Sequence, residues 1–208
     1  MSENCLALVL AAGSSSRFGS SDKRLGLFLQ QPLIYHCLCQ LHESQLPIAV
    51  ALVEGDTIAA QLRSDFPDIL VLELPANKVT QGMGSTIAAA ISLLQRQGHL
   101  LSQQPLMICL ADMPLIKAST FRQVADAIRL SLCDAVVPKQ PQQNRWGHPI
   151  AIKGEFIRRF AMLSGDRGGK SCLQQSLTGL EFLTVDDAGI YCDVDTPAAL
   201  AALNDKFR

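Results

Sequence analysis

Charge and aromatic rings are scarce in this chain: 18% of its residues are Asp, Glu, Lys or Arg, 5% are aromatic, and there is a single tryptophan. With a formal net charge of −1 and no basic cluster, a protein whose main task is to hold a nucleic-acid backbone is excluded. Long apolar runs are lacking too. Polar residues interrupt each one well before membrane-spanning length, and the N-terminus has no charged region leading into a signal core, so a cytoplasmic protein with no membrane partner is expected. The seven cysteines are scattered, odd in number and never in CxxC spacing, and the four histidines form no HxxxH pair. They read as reduced, mostly buried thiols and dispersed imidazoles rather than a disulfide framework or a metal clip. Two phosphate-binding signatures are also missing. GxGxxG does not occur, and the near miss to a Walker loop at Gly165 to Ser171 (GDRGGKS) is one residue short and follows a helical segment, which excludes a P-loop NTPase.

What is present is apolar and regularly spaced. With 48% hydrophobic residues in 208, the chain can bury the core of one α/β domain over residues 1–208, without repeats or low-complexity tracts. Cys5 to Leu10 (CLALVL) is too short and continuously apolar for an amphipathic helix and suits a strand buried on both faces. Pro32 then opens a helix carrying Leu33, Ile34, Cys37, Leu38 and Leu41 at helical spacing. Ile48 to Val53 is a strand, Thr57 to Ser64 a short helix, and Ile69 to Leu72 a third strand. This βαβαβ order predicts a doubly wound, Rossmann-like sheet in a three-layer α/β/α arrangement. Further on, the pattern predicts helices over Ser85 to Gln97, Ser119 to Leu130, Glu155 to Leu163 and Ala198 to Leu203. Strands are predicted at Leu106 to Ala111, Ala135 to Pro138 and Ile150 to Ile152, and a closing hairpin pairs Phe182 to Val185 with Ile190 to Tyr191.

The chemistry gathers at strand ends. After the first strand the chain reads AAGSSSRFGSSDK, where Gly13 and Gly19 bracket small residues whose backbone amides can face one concavity, with Arg17 and Lys23 as cations. A loop of this composition is also common on ordinary surfaces. Its departure from the carboxyl end of the first strand, where open α/β sheets hold ligands, favours an anion cradle. Gly82 and Gly84, with Ser85, begin the Ala-rich helix and are expected to present free N–H groups. Asp112 follows the strand Leu106 to Ala111 on the same rim, as either a turn cap or a hard oxygen ligand for Mg²⁺ beside phosphates. Asp193 and Asp195, two apart, point the same way in an extended segment, so either or both face the site or one caps the last helix. Arg145, His148, Asp166, Arg167 and Lys170 supply most of the remaining convergent polarity, in two glycine-rich turns. Each alone reads as a solvated loop residue, or for His148 as a structural histidine.

LAAGSSSRFGSSDK resembles the N-terminal signature of the MobA/MocA-like molybdenum cofactor nucleotidyltransferases. Asn77 with GMGST (Gly82 to Thr86), LADMP (Leu110 to Pro114), GHP (Gly147 to Pro149), GDRGG (Gly165 to Gly169) and DVDTP (Asp193 to Pro197) follow in the family's order. The resemblance implies a nucleotide-diphospho-sugar transferase-like fold with one antiparallel strand in a mostly parallel, mixed sheet. It also implies transfer of a nucleoside monophosphate from an NTP to molybdopterin or a similar phosphorylated pterin, with release of pyrophosphate and Mg²⁺ as cofactor. Arg17, Lys23 and Asp112 are the expected catalytic residues. Leu10, Ala11, Ala12, Gly13, Ser14, Arg17, Gly19, Lys23, Gly82, Ser85 and Asp112 are expected at the nucleotide, and Asp112 and Asp195 at the metal. Arg145, His148, Asp166, Arg167 and Lys170 are expected at the acceptor. Ala12 and the three C-terminal motifs resemble the cytidylyl branch and favour CTP, while Asp22–Lys23 resembles the guanylyl branch and keeps GTP open. A monomer that hands its product to a molybdoenzyme fits this picture. The same parts also suit another sugar- or alcohol-phosphate nucleotidyltransferase, or a nonenzymatic cofactor chaperone.

Overall fold

In a computed structural model that describes residues 4–13, 18, 22–175 and 177–208, the first strand, β1 (Leu6–Leu10), divides the core in two. Strand side chains alternate, so Ala7 and Val9 point to one face and Leu6 and Leu8 to the other. After β1 come a small antiparallel pair, β2 (Leu27–Phe28) and β3 (Gln31–Pro32), then α1 (Leu33–Glu43), β4 (Ile48–Val53), α2 (Ala59–Asp65) and β5 (Leu70–Leu74). Next are α3 (Ala76–Val79), α4 (Met83–Arg96), β6 (Leu106–Leu110), α5 (Ala118–Leu130), β7 (Ala135–Lys139) and β8 (Ile150–Ile152). The chain closes with α6 (Gly154–Phe160), α7 (Gly169–Gln174), β9 (Leu180–Thr184) and α8 (Pro197–Lys206).

One 7-stranded sheet has the order β5-β4-β1-β6-β8-β7-β9. All neighbours are parallel except β8, which runs antiparallel to both β6 and β7. Helices α1, α2 and α5 bury Leu38, Leu62 and Phe121 on the Ala7 and Val9 face. Helices α4, α6 and α7 bury Ile91, Phe160 and Leu173 on the other. This is the expected α/β/α architecture with a mixed sheet. A smaller cluster of Phe18, Phe28, Leu33, Val194 and Leu203 fastens α8 beside the first loop. All cysteines are free, and Cys5, Cys37, Cys109 and Cys172 are buried. Among the described residues no helix is long and apolar enough to cross a membrane.

The predicted closing hairpin does not form. Leu180–Thr184 instead adds a parallel edge strand to β7, and Ala188–Tyr191 is a single 3-10 turn. The buried carboxylate of Asp187 explains this, because it accepts from Gly189 N at 2.9 Å, Lys117 N at 2.9 Å and the Thr120 hydroxyl at 2.6 Å. The chain is thereby tied to the start of α5 rather than released to reverse. It also holds the start of α5 from 70 residues away at Lys117 N, while the first helical amide, Ala118 N, donates to Gln40 Oε1 at 2.8 Å. At α8 the cap is Thr196, whose hydroxyl oxygen accepts from Ala199 N at 3.1 Å, so neither Asp193 nor Asp195 performs that task.

The contact between this turn and Leu115 leaves no room for a side chain at Gly189, since a Cβ there would overlap the Leu115 carbonyl group. Backbone on both sides cannot yield cheaply. Gly189→Ala is expected to cost about 1–3 kcal/mol or more, lowering Tm by roughly 2–4 °C per kcal/mol. Thermal unfolding checks this, and an unchanged Tm would mean that the turn does not press on Leu115.

Candidate active site

Three distant segments meet at one ammonium group. Lys23 Nζ lies 2.5 Å from Asp112 Oδ2 and 2.9 Å from Asp195 Oδ1. Asp112 is delivered by β6, just past its carboxyl end, where Ala111 N still donates to Leu10 O at 3.3 Å. Asp195 is brought alongside because Val194 N donates to Asp112 O at 2.9 Å while the Val194 side chain is buried against Phe18 and Leu203. Burial disfavours the charged form of Lys23, but Asp112 and Asp195 outweigh it and raise its pKa. The second carboxylate oxygen, Asp112 Oδ1, is buried and has no hydrogen-bond partner among the described residues.

A second cation fixes the start of the loop. Arg24 Nη1 donates to Ala11 O at 2.7 Å and to Asp56 Oδ2 at 2.5 Å, while its Nη2 reaches Asp22 Oδ2 at 2.6 Å. Burial opposes the charge on Asp22, yet Arg24 holds its carboxyl below the usual range. Arg24 therefore pins Ala11 to the segment after β4. Ala12 is buried and Leu10 half-buried, whereas Gly13 is exposed, with open space where a Cβ would be. Ser14, Arg17 and Gly19 lie outside the described residues.

The expected free amides of α4 are not found at Gly84 and Ser85. Both N–H groups donate to Gly165 O, at 2.8 and 3.3 Å, and Gly165 N donates back to Ser85 Oγ at 2.9 Å. The 165–168 turn thus covers the helix start and takes the N–H groups a ligand would need. Gly82, at φ 113°, is pressed against Asp166, and Gly84 against the Arg167 carbonyl, so a Cβ at either would collide with that turn. Ser85 and Gly82, read as nucleotide residues, and Asp166, read as an acceptor residue, belong to one packed unit.

The other acceptor candidates are placed separately. His148 precedes β8 and lies close enough to Asp112 and Lys170 to feel both charges. Burial lowers its pKa, against Asp112 and a backbone hydrogen bond at Ile108, and its Nδ1 is buried without a partner among the described residues. Arg145 stacks its guanidinium 5.1 Å from the Tyr191 ring centroid, and the Tyr191 hydroxyl donates to Arg145 O at 2.9 Å. Lys170 Nζ sits 5.5 Å from the Trp146 ring centroid. Arg167 lines a cavity of about 240 Å³ between α6 and α7. A larger groove of about 730 Å³ lies at the opposite, amino end of the strands, lined by His42, Pro47 and Asp68, away from Lys23 and Asp112.

A family model described as the MobA-like NTP transferase domain matches residues 7–180. The chain belongs to that family. The MobA-like match takes in Lys23 and Asp112, while Asp195 lies beyond its last residue. A search of curated proteins finds no match. Among solved structures, Rv0371c from Mycobacterium tuberculosis H37Rv is similar at 20% identity, with a TM-score of 0.79 over 99% of each chain. Its complex with manganese aligns at 19% identity and a TM-score of 0.75, over 97% of this chain and 98% of that one. A 4-diphosphocytidyl-2C-methyl-D-erythritol synthase superposes at 13% identity and a TM-score of 0.75 over 100% of both chains. These likenesses establish the shared fold, and the MobA-like match makes the chain a nucleotidyltransferase by family.

Arg24 and Asp56 were not singled out by the motif reading, although an Arg beside an apolar Leu25 in a chain this poor in charge is a usable signal. Asp56 is the more hidden, with its side chain only 4% exposed. Because Arg24→Met strands that carboxylate, it is expected to cost about 3 kcal/mol or more. The exposed pair Arg63–Glu73, at 2.6 Å, is the control: Arg63→Ala should barely move the urea midpoint. Equal midpoint shifts in the two variants would contradict the anchoring role of Arg24.

Proposed function

We propose that this chain transfers a nucleoside monophosphate from an NTP to a phosphorylated acceptor, with CTP favoured over GTP and a pterin-type acceptor. The observation that carries the reading is one lysine bridging two carboxylates on the rim where the first loop leaves β1. An acceptor phosphate oxygen attacks the α-phosphorus, the bond to the β-phosphate bridging oxygen breaks, and pyrophosphate leaves. Such chemistry needs alignment and charge neutralisation more than a covalent nucleophile. An acceptor already ionised as phosphate needs no strong base.

The residues fit a divalent ion. Asp112 Oδ1 is a buried hard oxygen with no hydrogen-bond partner among the described residues, and Asp195 Oδ1 meets the same Lys23 ammonium as Asp112. Among the described residues no group of three metal-ligating side chains exists, which suits an ion that arrives with its nucleotide and keeps phosphate and water ligands, as Mg²⁺ does. The manganese complex of Rv0371c is consistent with this. When bound, such an ion neutralises charge developing on the phosphates. Lys23 and Arg17 would neutralise charge on the phosphates and on the leaving group. Ala12, where a second glycine would leave more space, favours the smaller pyrimidine base and hence CTP.

Three measurements test the reading. In a thermal-shift panel of CTP, GTP, ATP and UTP with and without Mg²⁺, CTP with Mg²⁺ should stabilise most, by about 2.7 kcal/mol at one hundred times its Kd. Tighter binding of GTP would reverse the base assignment. Asp112→Asn should cut pyrophosphate release by about a hundredfold or more while the protein stays folded. Lys23→Met should also lose turnover but bind Mn²⁺ more tightly than wild type in the absence of nucleotide, as followed by calorimetry. Wild-type turnover in Asp112→Asn would remove the carboxylate from the mechanism.

A further inference from the structure

The strand order places the sole tryptophan on the rim of the site. Because β8 is antiparallel and lies between β6 and β7, the residues leading into it, Trp146 to Pro149, stand on the same rim as Asp112. The first loop leaves β1, on the other side of β6. An acceptor whose phosphate reaches Lys23 and Asp112 therefore has its body directed along the rim toward β8 and β7. Two strand spacings, about 10 Å, separate the ends of β6 and β7. That is room for a single ring system and a short phosphate-bearing arm.

This stretch of rim carries an aromatic and cationic cluster of which the motif reading named only Lys170. Trp146 is half-buried, packed on the α4/α6/α7 face of the core, and meets Phe182 edge to face at 5.3 Å between centroids. Lys170 Nζ lies 5.5 Å from the Trp146 centroid and Lys139 Nζ 5.2 Å from that of Phe182. Neither lysine has a carboxylate partner among the described residues. A cation resting on a partly solvated ring is held weakly and can be exchanged for a flat ligand. An indole fixed on one side by the core is a stacking platform at little entropic cost.

We propose that Trp146 is the acceptor-specificity residue, stacking a planar heteroaromatic ring of the acceptor, with Lys170 and Lys139 swinging from the rings to its anionic groups. The proposal rests on the nucleotidyl-transfer reading and names the acceptor class for the same site. An acyclic alcohol phosphate has no ring to lay on such a platform.

The test uses the full chain and pterin-6-carboxylate, a flat, anionic and fluorescent probe, whose anisotropy reports binding. Trp146→Ala should weaken probe binding about tenfold or more, and Trp146→Phe should restore it to within about threefold of wild type. Lys170→Ala should weaken it as well. Binding of CTP with Mg²⁺, read by thermal shift, should be the same in all four proteins. Glycerol 3-phosphate should displace the probe no better than inorganic phosphate does. Failure of wild type to bind the probe, equal binding by Trp146→Ala, or parallel loss of CTP binding in that variant would overturn the platform. Nucleotidyl transfer fails separately, if CTP neither binds nor turns over in a wild-type chain whose probe binding still depends on Trp146.

Discussion

The ammonium of Lys23 is the point on which the site depends. It draws together the end of the first loop, the carboxyl end of the central strand β6 and the segment before the last helix. No one of these contacts would hold by itself. Asp112 and Lys23 are each 19% exposed at the side chain, so stripping either of its partner leaves a poorly solvated charge. Closing the pair instead keeps both charges satisfied. Val194 supplies the apolar part, inserting into the Phe18, Phe28 and Leu203 cluster from between the two aspartates.

Arg24 does the corresponding work one residue further along. Its three anchors, Ala11, Asp22 and Asp56, set the position from which the first loop departs. The two adjacent cations thus divide their roles. Arg24 is committed to structure by a nearly buried carboxylate, whereas Lys23 faces a carboxylate that is 40% exposed and can be released to a ligand. This division suits phosphoryl chemistry, which needs a rigid cradle and one mobile positive charge.

On the opposite flank, the 165–168 turn sits over the start of α4 and takes up its amides. Segments assigned separately to nucleotide and acceptor are thereby made one packed body. The antiparallel strand β8 then carries His148 and Trp146 to the rim. A right-handed parallel crossover would have sent the chain there from the far end of the sheet, with its loop on the other side.

The alternation and burial of the apolar runs made most strands, the larger helices and the layer arrangement legible, because burial on a sheet face or helix stripe leaves a periodic trace. The carboxylate after β6 and the lysine of the loop were legible for a similar reason, since local strand and loop chemistry names them. The partners were not. The pairing of Arg24 with Asp56, the tie from Asp187 to Lys117 and Thr120 and the loss of the expected hairpin all involve polar groups far apart in the chain. Such groups follow no period, and only packing decides which of them meet. Apolar periodicity was enough to give the fold class and the strand end after which Asp112 stands. Tertiary structure alone decided that Asp195 meets Asp112 at Lys23, that Gly165 closes off the amides of Gly84 and Ser85, and that Trp146 packs on Phe182 beneath Lys170, because each contact joins segments far apart in the chain.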